Sequence, residues 1–475
     1  MTPTFLWHDY ETTGTDPRRD RPAQFAAIRT DADLQPIGEP VMLFCRPAPD
    51  VLPHPAACLL TGITPQQMQR EGVIEAEFAG TLHELMSEAG TCTVGYNSIR
   101  FDDEFTRNLL YRNLYDPYER EWRNGNSRWD LIDLARMCHA LRPDGIQWPQ
   151  RDDGTPSFRL EDLARANRIE QQHAHDALSD VEALLGLARL IRRHQPRLWQ
   201  FHFELRRKQA AFRYLDVAHM TPVVHVSSRY PANRGCLAVV VPLALHPTNP
   251  NAVIAYDLAV DPQPLLELEA GDIADRLFTP RADLPVGVER IPLKAIHANR
   301  SPALAPVSVL QGVDHARIGL DLPRALEHLQ RLRDAEGLPA KLASVFAQAR
   351  SEDALDPELA LYAGFPTDAD KRRLREARAT PPAQLAQRRI AFDDARYGEL
   401  LFRYRARNWP DTLDGDESRR WQAFRDQRLE RETALTTLTR EQYFAAIAAL
   451  RVDAATTPSQ QALLDALEQW GRQGA

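Results

Sequence analysis

The chain has 475 residues, of which 43% are apolar and 26% charged, with a net charge of −8. That length allows two to four domains, and the balance is that of an ordinary globular protein. No run of about 18 apolar residues occurs, which excludes a helical membrane span, and the N-terminus lacks the basic-then-apolar pattern of a secretory signal. The five cysteines (Cys45, Cys58, Cys92, Cys138, Cys236) are odd in number, widely spaced and without a CxxC pair. Reduced thiols in a cytoplasmic protein are therefore expected, and a cysteine zinc site is not. The acidic balance by itself disfavours a nucleic-acid partner, since phosphate binding needs concentrated Lys and Arg. A basic groove can nevertheless exist within an acidic total.

Residues 4–195 read as strands interleaved with helices. The strands are predicted at Phe5–Tyr10, Gln24–Thr30, Val41–Arg46 and Thr91–Tyr96, the first three close enough to form a meander. Helical spacing follows near 74–88, 103–114, 129–141, 159–167 and 176–193, giving an α/β sheet covered by helices. A helix over about 200–212 leads into a different texture across 196–351. "TPVVHVSS", "CLAVVVPLAL", "NAVIAYDLAV" and "RIPLKAIHAN" are short β-branched runs separated by turn clusters, as in a small β-barrel or sandwich, with helices added near 323–349. From 352 to 475 the spacing is helical throughout.

The chemistry begins in "FLWHDYETTGTD". Side chains alternate along a strand, so Phe5, Trp7, Asp9 and Glu11 share one face, while Leu6, His8 and Tyr10 share the other. Asp9 and Glu11 then stand together at the C-terminal end of the strand, where open α/β sheets place ligands. Two adjacent carboxylates repel unless a cation neutralises them, and a hard divalent ion such as Mg²⁺ suits oxygen ligands. Two solvated acids at an exposed strand end are the alternative. In "GYNSIRFDDEFTRNLL", Asp102 follows a strand and opens a helix, as a cap or as a further ligand. In "HAHDALSDVEALLGLARLIRR", Asp180 shares a helix face with Leu184, Leu187 and Ile191. A buried carboxylate there needs a partner or a metal. His175, just before that helix, is either a surface residue or a base able to take a proton from water near neutral pH.

The set Asp9, Glu11, Asp102, His175 and Asp180 resembles the DEDDh family of 3′→5′ exonucleases, which have a ribonuclease-H-like fold. "HDYETTGTDPRRDRPAQFAAIRTD", "LTGITPQ", "NSRWDLIDLARMCHALRPDGIQWP", "PSFRLEDLARAN" and, later, "MTPVVHVSSRY", "LALHPTNPNAVI" and "LLFRYRARNWPDTL" look like the bacterial exodeoxyribonuclease I branch of it. The resemblance covers nearly the whole chain and is weakest at about 312–356 and 412–475. It implies an exonuclease domain at 4–195, an SH3-like β-barrel domain with helical additions at 196–351 and a helical domain at 352–475. It also implies 3′→5′ digestion of single-stranded DNA to 5′-mononucleotides, processively, in DNA repair at the nucleoid. Two Mg²⁺ ions, with Mn²⁺ able to substitute, would stabilise the attacking and leaving oxygens. Asp9 would bridge both ions, Glu11 and Asp180 would complete one shell, Asp102 would serve the other, and His175 would deprotonate the water.

The strand itself needs cations and stacking faces. The resemblance favours Arg159, with Phe158 beside it, near the 3′ nucleotide, where Glu11 also touches substrate. Arg107, Tyr118, Trp122 and Arg136 are expected along the strand. Each could equally be ordinary helix surface or core. In "KAIHANRSP", Lys294, His297, Asn299 and Arg300 gather at a strand end, and "RYRARN" brings Arg403, Arg405 and Arg407 together, as a DNA-facing cluster or as a structural clamp between domains. Resemblance alone implies a monomer and one protein partner, the acidic C-terminal tail of single-stranded DNA-binding protein. Arg142 is a plausible receptor, because a terminal carboxylate pairs well with Arg. A shorter type of DEDDh nuclease acting on RNA and a non-catalytic strand binder are the competing expectations.

Overall fold

A computed structural model describes residues 3–170, 176–347, 355–453 and 457–473. The chain forms two compact units, one comprising Met1–Ser127, Gln171–Leu184 and Glu352–Ala475, the other Arg128–Glu170 and Leu185–Ser351.

In the first unit β1 (Thr4–Thr12), β2 (Pro22–Thr30) and β3 (Val41–Phe44) form the expected antiparallel meander, and β4 (Thr91–Gly95) lies parallel to β1. A parallel neighbour needs a crossover. Helices Pro55–Thr61, Pro65–Glu71 and Glu75–Ser87 occupy that stretch of chain. The first two were not anticipated. At seven residues each they are too short for periodicity, although each opens on a proline, which costs nothing in a first turn. Leu6 and Tyr10 pack with Phe25, Phe78 and Leu82 on one side of the sheet. Helix Asp102–Arg112 follows β4. The strand β5 (Ser127–Asp130) straddles the boundary between units, so the helix expected from 129 starts at Leu131, with Asp130 as its cap accepting from the Ile132 amide.

The C-terminal helices belong to this same unit. Leu361, Leu374, Tyr397 and Leu400 pack with Tyr111 and Leu114, while Tyr443, Ile447, Leu464 and Leu467 pack with Leu52 and Cys58. A buried ionic network joins the same stretches. Arg407 donates to both oxygens of Asp50 at 2.9 and 2.8 Å and also to Glu358, and Arg428 reaches Asp50 at 2.8 Å. Arg403 holds Asp356 at 2.8 and 2.9 Å, and Arg405 holds Glu417. The "RYRARN" arginines are therefore a structural clamp and not a DNA-facing cluster, because carboxylates of the same unit, Asp50 and Glu358 fully buried and Asp356 and Glu417 partly so, take up their donors.

The second unit holds β6 (Val223–Val226), β7 (Leu237–Leu245), β8 (Ala252–Asp257), β9 (Leu293–His297) and β10 (Ala303–Pro306), antiparallel in the order β10-β6-β7-β8-β9. Val224, Val239 and Val241 pack with Ile273, Leu329 and Leu342. Their neighbours Val223, Ala238 and Val240 pack instead with Leu205 and Ala211. Burial on both faces explains why "LAVVVPLAL" is continuously apolar rather than alternating. Pro242 is accommodated where the β7–β8 register shifts. The predicted helix at 200–212 is two, Pro196–Leu205 and Lys208–Phe212. All five cysteines are buried as free thiols.

Candidate active site

Asp9 and Glu11 lie near the C-terminal end of β1, opposite Ala26 and Gln24, and the register shifts immediately after Glu11. Such an irregularity re-aims side chains at a strand end. Asp180 comes from the first turn of helix Ala177–His194. Oxygens of Asp9, Glu11 and Asp180 all lie within 4.8 Å of one another. Among the described residues this is the one group of three acidic, His or Cys side chains so placed.

The electrostatics follow from that crowding. Burial, then the charges of Asp102, Glu11 and Asp180, push the Asp9 carboxyl well above its ordinary range. Glu11 is pushed up to about 8 by burial and by Asp180, Asp102 and Asp176. Carboxylates in this state hold a proton or a cation. The donors are all hard oxygens, so a hard divalent ion fits the set.

Asp102 is buried and occupies the first position of helix Asp102–Arg112; the cap position is Phe101, which makes no capping bond. Asp102 is therefore not the cap. The neighbouring Asp103 is bound by Arg120 at 2.7 Å, both buried. That distinguishes the two acids of "FDDEF": one is held in an ion pair, and the other raises Asp9 and Glu11. Thr106 Oγ1 donates to the Asp102 carbonyl and pairs with Tyr10 Oη, each at 2.8 Å, tying the helix to β1. His8 bonds the Val94 carbonyl through Nδ1 at 3.1 Å, and burial lowers its pKa to about 4. His8 and Tyr10 are structural, as their face of the strand implied. His175 lies outside the described residues.

Gln24 escaped the sequence reading. Its amide donates to Asp176 at 3.2 Å and accepts from the Ala177 amide at 3.2 Å, so it fixes the start of the helix that carries Asp180. Only the pairing of Glu11 with Gln24 across β1 and β2 reveals this.

The expected strand contacts fall into different environments. In the first unit, Arg107 is buried, donating to both oxygens of Glu121 at 2.7 and 3.0 Å and to Glu104 at 2.8 Å. Its guanidinium carbon lies 5.3 Å from the Tyr118 ring centroid, and Trp122 is exposed. In the second unit, Arg136 pairs with Asp133 at 2.7 Å and lies 5.8 Å from the ring centroid of the buried Phe158. The Arg159 side chain is exposed beside Glu161. Lys294 donates to His225 at 2.7 Å, and Asn299 and Arg300 are exposed just past β9. Burial, with Arg300, His246 and Lys294 adding positive charge, lowers His297 to about 4. Arg142 is exposed and donates to the Val309 carbonyl at 3.2 Å.

Three family models match in succession: Exonuclease over residues 6–188, Exonuclease I SH3-like domain over 206–348, and Exonuclease I C-terminal domain over 355–474. The exodeoxyribonuclease I of Escherichia coli (strain K12) is 48% identical over 89% of this chain and 89% of its own, and that of Haemophilus influenzae is 46% identical over 90% and 91%. A moderately thermophilic exonuclease I from Methylocaldum szegediense superposes with a TM-score of 0.95 at 53% identity, covering 99% of both chains. The E. coli exonuclease I in complex with a dA16 oligonucleotide superposes with a TM-score of 0.95 at 45% identity, covering 100% of both. With domain models and relatives of this identity spanning the chain almost end to end, the protein belongs to the exodeoxyribonuclease I family.

Proposed function

We propose that this chain digests single-stranded DNA from its 3′ end in the cytoplasm, at the nucleoid, as a monomer, releasing 5′-mononucleotides with the aid of two Mg²⁺ ions. The observation that carries this reading is the convergence of Asp9, Glu11 and Asp180 within 4.8 Å, with Asp102 near enough to raise two of them. The E. coli relative is known in complex with DNA oligonucleotides and in a zinc-bound form. Here the crowded, hard-oxygen donor set suits Mg²⁺, with Mn²⁺ as its substitute. Asp9, Glu11 and Asp180, with Asp102 beside them, are the residues that would hold the ions.

When bound, such ions neutralise the charge that develops on the attacking and leaving oxygens. His175, assigned on the family resemblance, takes the proton of the attacking water. Water adds to the phosphorus of the terminal nucleotide, the bond to the preceding 3′ oxygen breaks, and that oxygen takes a proton from solvent, so the shortened strand regains a 3′-hydroxyl. Glu11, Phe158 and Arg159 are assigned to the terminal nucleotide. Arg107, Tyr118, Trp122 and Arg136, and Lys294, His297, Asn299 and Arg300, are assigned to the trailing strand. Three domains, at 4–195, 196–351 and 352–475, are the functional division we adopt. Arg142, exposed at the end of helix Leu131–Leu141, is assigned to the acidic tail of single-stranded DNA-binding protein.

The test is digestion of 5′-labelled single-stranded DNA with Mg²⁺, against EDTA, duplex DNA and RNA of equal length. Progressive shortening from the 3′ end of the single-stranded DNA alone, abolished by EDTA, is expected; faster turnover of RNA would refute the substrate assignment. Asp180→Ala is expected to lose digestion by at least about a hundredfold while still binding the strand. Retained Mg²⁺-dependent activity would overturn the ligand assignment.

A further inference from the structure

In the second unit, His225 is buried on β6, opposite Ala238 of β7 and Leu304 of β10. Lys294 lies on β9, beyond β7 and β8 in the order of the sheet. Three strand spacings separate β6 from β9 along a flat sheet, about 14 Å. The Lys294 ammonium nevertheless meets His225 Nε2 at 2.7 Å. The sheet is therefore curled, and this bond crosses between its two ends.

The partners fix the state of the ring. An ammonium can only donate, so Nε2 accepts. A carbonyl can only accept, so Nδ1 carries the hydrogen and donates to the Ala303 carbonyl at 3.0 Å. His225 is thus a neutral imidazole held in one tautomer. The same ammonium lies 4.9 Å from the Tyr230 ring centroid, and that ring stands edge-on to His225 at 5.6 Å. Both contacts are to neutral groups, so they orient the ammonium without cancelling its charge. A carboxylate in place of His225 would also hold the lysine, but at the expense of that charge. Lys294 is half-buried, and Asn299 and Arg300 are exposed just past the same strand. Ordering a flexible lysine beforehand lowers the entropy lost when it grips a ligand.

We propose that His225 is a positioning residue for the single-stranded DNA substrate: it does not touch the strand but holds the Lys294 ammonium, with Tyr230 beneath it, where it meets a phosphate. This rests on the assignment of Lys294 to the trailing strand made above.

The test measures binding of a labelled oligothymidylate to the full-length protein in EDTA, so that nothing is cleaved, for His225→Leu, His225→Gln, Lys294→Met and the double variant His225→Leu/Lys294→Met. His225→Leu is expected to raise Kd about fivefold, the scale of one lost hydrogen bond, and, with Mg²⁺, to raise KM with little change in kcat. It is expected to add nothing once Lys294 is Met, and His225→Gln, which keeps an acceptor, is expected to recover most of the binding. If His225→Leu binds normally, or weakens binding as much with Met at 294 as without, the positioning role is refuted. In ¹⁵N spectra of the unsubstituted protein, one unprotonated histidine Nε2 resonance is expected to shift in Lys294→Met. If none shifts, the contact is absent in solution and the proposal falls, whether or not the His225 variants fold. If Lys294→Met itself binds as tightly as the unsubstituted protein, it is the underlying assignment of Lys294 to the strand that fails.

Discussion

At the scale of single residues, position along an element decides what a charge does. Asp102 and Asp103 are adjacent and chemically identical. Asp103 is spent on Arg120 at 2.7 Å, while Asp102 adds to the charge that raises Asp9 and Glu11. The arginines show the same division: the side chain of Arg159 is exposed, whereas Arg403 and Arg407 are buried among carboxylates. His175 has a role that chemistry tests directly. His175→Ala is expected to lower kcat by about 10²–10⁴-fold, the range for a lost general base, with Mg²⁺ affinity by calorimetry unchanged. A pH–rate profile that keeps its acidic limb in the variant would remove His175 from that role.

At the scale of elements, the molecule relies on a buried ionic network. Four arginines, Arg21, Arg403, Arg407 and Arg428, hold Glu358, and Arg407 and Arg428 also hold Asp50. Removing one partner of such a set leaves buried charge uncompensated, at a cost of about 3–5 kcal/mol. Glu358→Gln is expected to lose about that much stability in urea unfolding. The arginine charges hold both carboxyls below their ordinary values of 3.8 and 4.5, against the opposing effect of burial. Depressed carboxyls contribute stability that is present above those values and disappears as pH falls through the native-state pKa. The protein is therefore expected to lose thermal stability steeply below about pH 4.5, and Glu358→Gln to flatten that loss. An equally steep acid limb in the variant would place the dependence elsewhere.

At the scale of the whole molecule, sequence families and packing divide the chain differently. The matched segments are consecutive, at 6–188, 206–348 and 355–474. In space, the segment from Glu352 packs into the same compact unit as the catalytic sheet. Leu361, Tyr397 and Leu400 bury Tyr111 and Leu114, and Leu464 and Leu467 bury Leu52 and Cys58. Deleting residues 352–475 would uncover both clusters and strand Asp50. Such a truncation is expected to be insoluble, or to lack a cooperative melting transition in calorimetry; a truncation that melts cooperatively and retains Mg²⁺-dependent digestion would show that the sheet stands alone.

The sequence by itself determined the local features. The period-2 pattern placed β1 and its same-face Asp9 and Glu11, and the amphipathic spacing after 176 placed Asp180 on a helix. The motif resemblance supplied the family. These signals are local because side-chain alternation and helical periodicity depend only on near neighbours. Tertiary structure alone decided what depends on distant partners. It made Asp103 and not Asp102 the arginine's partner, and it set Gln24 opposite Glu11 and against the helix of Asp180. It decided between the two readings of "RYRARN" in favour of a clamp, because Arg407 finds Asp50 357 positions earlier in the chain. It also gathered Tyr362 and Phe365 around Tyr118, whose local sequences give no sign of one another. A charge or a ring in a sequence has a chemistry, but burial and a partner give it a task, and both are set by contacts that no local pattern encodes.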